Sequence, residues 1–168
     1  MLLLKDLPSK TSLLKLAARY PGADVKAIQE FATILRVSSD LSAALDKLLN
    51  GHGLMQGRWW VLVLLLREEN LTSSPSALAE KVGVTKATMT GFINGLEREG
   101  LVSRLIHGED GRMLKIQLTP LGQEKLDQVV PDYYRKVGAL MSALSDSQRE
   151  SIIEAMKILG SNISVMKV

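Results

Sequence analysis

The sequence predicts a mainly α-helical protein of the α+β class, in which one β-hairpin interrupts a chain of amphipathic helices. Three observations predict this class. Apolar residues recur at helical spacing along most of the chain, a short helix closed by glycine leads into a second capped helix, and two short apolar runs flank a polar segment near residue 110. We divide the chain into residues 1–50, 51–118 and 119–168.

The N-terminal region is predicted to hold two helices. SKTSLLKLAARY can form a short helix that Pro21-Gly22 ends. From Asp24 to about Asn50 the apolar residues keep a helical period over roughly seven turns. Because a small lobe cannot cover so long a stripe, we interpret this helix as a dimerisation element.

The central region begins after the break NGHGLMQG. RWWVLVLLLREEN is apolar on nearly all sides, which predicts a helix at the centre of the core. We interpret NLTSS as a loop. SPSALAEKVGV follows as a short helix with Ser74 as N-cap, Pro75 in its first turn and Gly83 at its left-handed end.

The stretch from Thr85 to Arg98 completes a helix-turn-helix, with Thr85 as the N-cap. Its predicted buried stripe consists of Met89, Phe92, Ile93 and Leu96. The opposite face carries small or polar residues, namely Lys86, Ala87, Thr88, Thr90, Gly91, Asn94 and Arg98. Short side chains let a helix approach a partner closely, so this face is the candidate contact surface.

LVSRLI and MLKIQL, on either side of HGEDGR, predict a β-hairpin with Asp110 and Arg112 at its tip. A helix-turn-helix followed by such a hairpin is a winged helix. The major groove of B-DNA admits one helix, and a basic hairpin tip can reach the neighbouring minor groove. Double-stranded DNA is therefore the expected partner.

The C-terminal region is predicted to contain two more helices. One begins at the cap Thr119 and kinks without breaking at Pro131, and the last begins at the cap Ser145. The apolar side of the last helix is formed by Ile152, Ile153, Met156, Leu159 and Ile163. Long apolar-striped helices at both ends of the chain most simply pair with a second copy, so we expect a two-fold homodimer.

Composition excludes several classes of protein. There is no cysteine, the formal charge is +3, and the pI is about 9.2. The two histidines are far from acidic clusters, so we expect neither a metal nor a cofactor. The apolar runs are too short for a signal peptide or a membrane span, so we expect a soluble cytoplasmic protein without membrane contact.

Two alternatives come from other classes. For a small enzyme, the chain offers no cysteine nucleophile, HExxH or GxxxxGK, and Gly51-His52-Gly53 lacks the last glycine of a dinucleotide fingerprint, where Gln56 stands. The other alternative is a winged-helix dimer that binds protein instead of DNA. Binding through phosphates weakens steeply with salt, whereas a mostly apolar protein contact changes little.

The segments LMQGRWWVLVLL, LAEKVGVTKATMTGFINGLEREGLV, EDGR and QLTPLG resemble the MarR family of bacterial winged-helix regulators, without gaps from about Leu54 to Gly122. The resemblance implies an obligate dimer on a pseudo-palindromic site, usually repressing and often released by small phenolic or aromatic-carboxylate effectors. Two departures from the family pattern stand out. Many members have arginines in place of Gly91 and Gly95, and the wing cations here are only Arg104, Arg112 and Lys115.

The resemblance and the residue chemistry together suggest roles. Arg112 matches the wing arginine that the family inserts into the minor groove, with Asp110 orienting it; alternatively the two simply pair in a solvated turn. Thr88, Thr90 and Asn94 can hydrogen-bond base edges or phosphates, and Lys86 can meet a phosphate at the helix start. Gly91 and Arg98 complete the DNA-binding set.

An aromatic or phenolic effector would need apolar walls and one or two polar anchors. The candidate lining residues are Phe31, Leu35, His52, Arg58, Trp59 and Trp60. An arginine beside indoles suits an aromatic carboxylate. The alternative is that the tryptophans belong to the core, where such residues are most often found.

Overall fold

The computed structural model describes residues 7–20, 22–107 and 113–166 of the chain. This described part is mainly helical, with one small sheet, as the sequence predicts. Its elements in chain order are α1 (Lys10–Arg19), α2 (Val25–Gly51), α3 (Gln56–Arg67), β1 (Thr72–Ser73), α4 (Pro75–Val82), α5 (Lys86–Arg98), β2 (Val102–His107), β3 (Met113–Leu118), α6 (Pro120–Met141), α7 (Asp146–Asn162) and a 3-10 turn (Ile163–Met166).

Side-chain caps explain where most of these helices begin. A hydroxyl or carboxylate accepts a hydrogen bond from a first-turn backbone N–H in every described helix except α3. The capping residues are Ser9, Asp24, Ser74, Thr85, Thr119 and Ser145. The four caps predicted for α4 to α7 are therefore confirmed. As predicted, α6 continues through Pro131 without a break.

The sheet has the order β1-β3-β2, and both pairings are antiparallel. The predicted hairpin is confirmed, with Val102 opposite Leu118 at its base. The interpretation of NLTSS as a loop was wrong for two residues, because Thr72 pairs with Gln117 to form β1. A two-residue strand is too short to show alternation in a sequence, and its pairing partner lies 45 positions further along the chain.

The hydrophobic core is centred on α3 and lies mostly within the winged helix, with Leu49 of α2 and Leu126 and Val129 of α6 completing it. Trp59, Val61, Leu62 and Leu65 of α3 are all buried. Met89, Ile93 and Leu96 of α5 are buried in the same cluster as Ile116 and Leu118 of β3. The predicted central helix is thus confirmed, and its packing holds α5 with one face outward.

The helices outside this core leave much apolar surface exposed. No residue of α7 is buried, and α2 exposes Ile28, Phe31 and Leu35. The short helix α1 packs against α2, where Leu13 is buried. None of the helices in the described ranges is both long and apolar enough to cross a membrane.

Candidate nucleic-acid interface

The outward face of α5 consists of the residues that the sequence predicts for it. All seven are exposed: Lys86, Ala87, Thr88, Thr90, Gly91, Asn94 and Arg98. Their side chains are short except at the two ends, where Lys86 and Arg98 carry positive charge. Neither cation has an ion-pair partner in the described part of the chain, so both remain able to meet phosphates.

The hydroxyl groups at the start of α5 are partly engaged within the helix. The Thr85 hydroxyl accepts from the Thr88 backbone N–H at 3.2 Å and lies 2.9 Å from the Thr88 hydroxyl. The Thr90 hydroxyl donates to the Lys86 carbonyl at 2.9 Å. Since a hydroxyl has one donor and two acceptor positions, Thr90 is left with acceptor capacity toward a partner.

Gly91 and Gly95 differ sharply in their surroundings. A Cβ at Gly91 would meet nothing within 4 Å, whereas a Cβ at Gly95 would lie 2.2 Å from Nη2 of Arg58. The Arg58 guanidinium lies across this buried glycine and its Nη1 donates to Oε1 of Glu99 at 2.5 Å. Arg58 thus supports α5 from α3, and only Gly91 offers open backbone to a partner.

Arg104 links the wing to α5, a connection that the sequence analysis missed. Its Nη2 donates to Oδ1 of Asn94 at 2.6 Å, and its Nη1 donates to a carboxylate oxygen of Glu97. Arg104 is on β2 and the two acceptors are one turn apart on α5. No local sequence pattern predicts this contact, because it depends on how the hairpin packs against α5.

The tip of the predicted hairpin carries two of the residues that the sequence predicts for DNA binding. Asp110 and Arg112 lie in residues 108–112, outside the described residues. Of the other wing cations, Arg104 is engaged with α5 and Lys115 has no ion-pair partner among the described residues. The roles of Asp110 and Arg112 therefore stay predictions from the sequence.

A concave site lies between α2 and α6, with a volume of about 730 Å³. Its walls are mainly apolar, with several charged or polar side chains among the lining residues. The lining residues are Leu41, Ala44, Leu45, Lys47, Leu48, Gly51, His52, Asp132, Tyr133, Lys136, Val137 and Leu140. Among the six residues that the sequence suggests for an effector, only His52 lies here.

The other five candidates lie apart from this cavity. Trp59 is 1% exposed in the core, with its ring 5.4 Å from that of Tyr133. Trp60 is partly buried against the same core. Phe31 and Leu35 are exposed on α2, and Arg58 holds Gly95 and Glu99. The structure thus places these five residues outside the lining of the cavity between α2 and α6.

Asp132 is the centre of a group of charged side chains at the cavity between α2 and α6. His52 Nε2 hydrogen-bonds Asp132 Oδ2 at 3.1 Å, Lys136 Nζ lies 3.0 Å from the same oxygen, and Arg135 donates to Oδ1. The hydrogen bond from His52, followed by those from Lys136 and Arg135, holds the pKa of Asp132 well below its ordinary value. The described residues contain no group of three side chains suited to hold a metal ion.

The chain is similar to known proteins both in sequence and in fold. Residues 54–114 match the model of the MarR family. The chain is 33% identical over 164 residues to the HTH-type transcriptional repressor YetL of Bacillus subtilis, covering 98% of each chain. Among solved structures it is similar to AbsC, a MarR family transcriptional regulator from Streptomyces coelicolor, with a TM-score of 0.76, 25% identity, and coverage of 84% of this chain and 95% of that one. It also shares its fold with Sco3205 from the same organism, a MarR family regulator solved in complex with DNA, at a TM-score of 0.77, 22% identity, and coverage of 83% and 89%.

Proposed function

The chain belongs to the MarR family of DNA-binding transcriptional regulators, and on that premise we propose that it represses transcription as a homodimer bound to a pseudo-palindromic operator. It is a regulator and not an enzyme, in line with its relatives. The YetL relative is named as a repressor, which supports the direction of regulation that we propose.

The outward face of α5 is the observation that most strongly supports the proposed DNA-binding surface. The apolar stripe of α5 is buried in the core, and its outer face carries short polar groups between two cations that have no ion-pair partner among the described residues. Such a helix fits the width of the major groove. We assign phosphate contacts to Lys86 and Arg98. We assign base-edge or phosphate contacts to Thr88, Thr90 and Asn94, and a close backbone approach to Gly91.

The surface proposed for the dimer is the apolar side of α7 together with the exposed side of α2. Ile152, Ile153, Met156 and Leu159 are each about half exposed in the single chain. Fully burying a side chain of this size stabilises a protein by about 1.5–3 kcal/mol. Leaving a whole helix of them in water would be unfavourable, so we infer that a second copy covers them.

Point substitutions test the dimer. Met156→Lys places a charge in the apolar side of α7 and should weaken the dimer, measured by sedimentation equilibrium. Ser151→Lys adds the same charge to the opposite side of α7 and should leave the dimer intact. Deleting the chain from Asp146 onward should cause aggregation or unfolding. A soluble and stable monomer from that truncation would contradict the proposed interface.

A dimer presents two copies of α5, which implies two half-sites about one helical turn of DNA apart. Selection of bound fragments from random duplex DNA tests this expectation. The enriched sequences should contain an inverted repeat with half-site centres roughly 10 base pairs apart, or a multiple of that. If no sequence is enriched and binding changes little with salt, the proposal fails in favour of a protein partner.

We further propose that a small aromatic or phenolic acid acts as effector in the cavity between α2 and α6. Its apolar walls suit an aromatic ring, and Lys47, His52 and Lys136 can attract a carboxylate. Asp132 opposes such an anion, so the ligand carboxylate would have to draw His52 or Lys136 away from it. This competition would link occupancy of the cavity to the contact between α2 and α6.

Salicylate is a suitable probe for the effector site. Tyr133 lines the cavity and its ring contacts that of Trp59, so binding should change tryptophan fluorescence. Lys136→Ala should weaken salicylate binding, and Arg58→Lys should not. Because coupling is reciprocal, operator DNA must lower salicylate affinity by the factor by which salicylate lowers operator affinity. Equal salicylate affinity with and without operator would rule out this switch.

A further inference from the structure

The last turn of α5 carries two carboxylates close to the proposed DNA-binding face. Glu97 and Glu99 stand on either side of Arg98 in the sequence, so these three residues together have one net negative charge. The C-terminal end of a helix adds partial negative charge of its own. Negative charge repels the phosphates of DNA. The charge of this turn alone would therefore oppose the phosphate contact that we assign to Arg98.

Arginines from two other elements pair with these carboxylates. Arg104 of β2 donates through Nη1 to Oε2 of Glu97 and through Nη2 to Oδ1 of Asn94, the latter at 2.6 Å. Arg58 of α3 donates through Nη1 to Oε1 of Glu99 at 2.5 Å. Because residues two positions apart lie on nearly opposite sides of a helix, the two guanidinium groups reach α5 from different directions.

These pairings reverse the charge of the turn. With Arg58 and Arg104 included, the group has one net positive charge. Arg98 itself has no ion-pair partner among the described residues, and adjacent residues of a helix do not face each other, so neither glutamate takes its charge. Arg98 is thus the cation of this turn that remains available to a phosphate.

We propose that Arg58 and Arg104 are positioning residues for DNA binding: they neutralise Glu99 and Glu97, and so let Arg98 bind a phosphate at this end of α5. This inference rests on the proposed function, because it takes the outward face of α5 as the DNA-binding surface. The two positioning arginines stay on their glutamates in the complex and do not themselves contact DNA. Arg58 then serves DNA binding and not the effector that the sequence suggests for it.

Double-mutant cycles, measured as affinity for the operator that the wild-type protein selects from random duplex DNA, test the inference. Arg104→Met should weaken binding at least about tenfold, because Glu97 then faces the phosphates without a counter-charge. In a Glu97→Gln protein there is no charge to neutralise, so the same substitution should cost less than about threefold. Arg58→Met should show the same pattern with and without Glu99→Gln.

Two controls separate this role from net charge and from folding. Lys115 is a cation of the same hairpin without an ion-pair partner among the described residues, so Lys115→Met should cost the same with Glu97 as with Gln at that position. Arg104 and Glu97 are 33% and 36% exposed, and such pairs add little stability. The melting temperature of Arg104→Met should therefore fall by no more than about 4 °C. If either methionine variant is unfolded by circular dichroism, Arg104→Gln or Arg58→Gln replaces it.

The outcomes distinguish this inference from the proposed function. If the wild-type protein enriches no sequence, the proposed function fails and this inference fails with it. If the wild-type protein selects an operator, but loss of either arginine costs the same with glutamate as with glutamine, only the positioning role is overturned. An arginine whose methionine and glutamine variants both fail to fold is needed for the fold itself, which would overturn that role equally.

Discussion

Gly122 lies directly against the backbone carbonyl of Leu101: a Cβ built on Gly122 would stand 2.2 Å from that oxygen. Two hydrogen bonds hold the same junction. The Thr119 hydroxyl donates to the Gly100 carbonyl at 2.7 Å, and the Thr119 backbone N–H donates to the Leu101 carbonyl at 3.2 Å. The start of α6 is thus fixed to the turn between α5 and β2, so α5 and α6 meet at one close-packed joint.

Gly122→Ala should therefore destabilise the protein. Any methyl group at this position collides with backbone, which cannot move aside as a flexible side chain can. Overpacking of this kind costs about 1–3 kcal/mol. We expect a loss of thermal stability of roughly 2–4 °C for each kcal/mol, measured by differential scanning calorimetry. Unchanged stability would mean that this joint is looser than the structure shows.

Gly91 is the matched contrast, since a side chain there would meet only open space. Gly91→Ala should raise stability by roughly 0.5–1 kcal/mol, because glycine is a poor residue inside a helix. Gly91→Leu should be folded as well, yet weaken operator binding at least tenfold, or about 1.4 kcal/mol, by holding the helix away from the base edges. Full operator affinity of the folded Gly91→Leu protein would show that the backbone does not approach DNA here.

Local chemistry made much of this fold predictable. Ser74, Thr85, Thr119 and Ser145 begin their helices as expected, because a cap depends on residues three positions apart. The exposed face of α5 followed from its apolar period in the same way.

Contacts between distant segments were not predictable. The pairing of Thr72 with Gln117 and the bond from Arg104 to Asn94 join segments whose approach is set by packing. The same reason explains why only one of the six effector candidates predicted from the sequence, His52, lines the cavity between α2 and α6. Trp59 and His52 are close in sequence, but the helix turns Trp59 into the core while His52 reaches across to Asp132 on α6.

The ion pairs of Asp132 predict a dependence of stability on pH. A carboxylate whose pKa is lowered on folding contributes stability that is present above its unfolded pKa, about 3.9, and is lost as pH falls below it. Asp132→Asn should therefore lower stability at pH 7, and the gap to the wild-type protein should narrow below about pH 4. Urea unfolding at several pH values measures this gap.

Asp127→Asn is the matched control for that measurement. Asp127 is exposed on the same helix and has no ion-pair partner among the described residues. Its substitution should change stability by less than about 0.5 kcal/mol, with little dependence on pH. If the Asp132 and Asp127 variants behave alike, the contacts with His52, Lys136 and Arg135 do not stabilise the folded state.

By its resemblance to the wing arginine of the family, Arg112 is predicted to contact the minor groove of DNA. Removing such a contact costs on the order of 1–3 kcal/mol, and a dimer would lose two of them. Arg112→Ala should therefore weaken operator binding at least tenfold and flatten the dependence of affinity on salt, because fewer counterions are released on binding. Thermal stability should change by less than about 0.5 kcal/mol, as is usual for surface substitutions.

Lys86→Ala should act in the same direction as Arg112→Ala but more weakly, because a single phosphate contact carries no base information. Binding curves at several salt concentrations, with wild-type, Arg112→Ala and Lys86→Ala proteins on one operator, measure both effects. Asp110→Asn tests whether the carboxylate orients Arg112: loss of that role should lower affinity even though a negative charge has been removed. If Arg112→Ala leaves affinity and salt slope unchanged in a folded protein, the wing does not touch DNA, and α5 alone must account for binding.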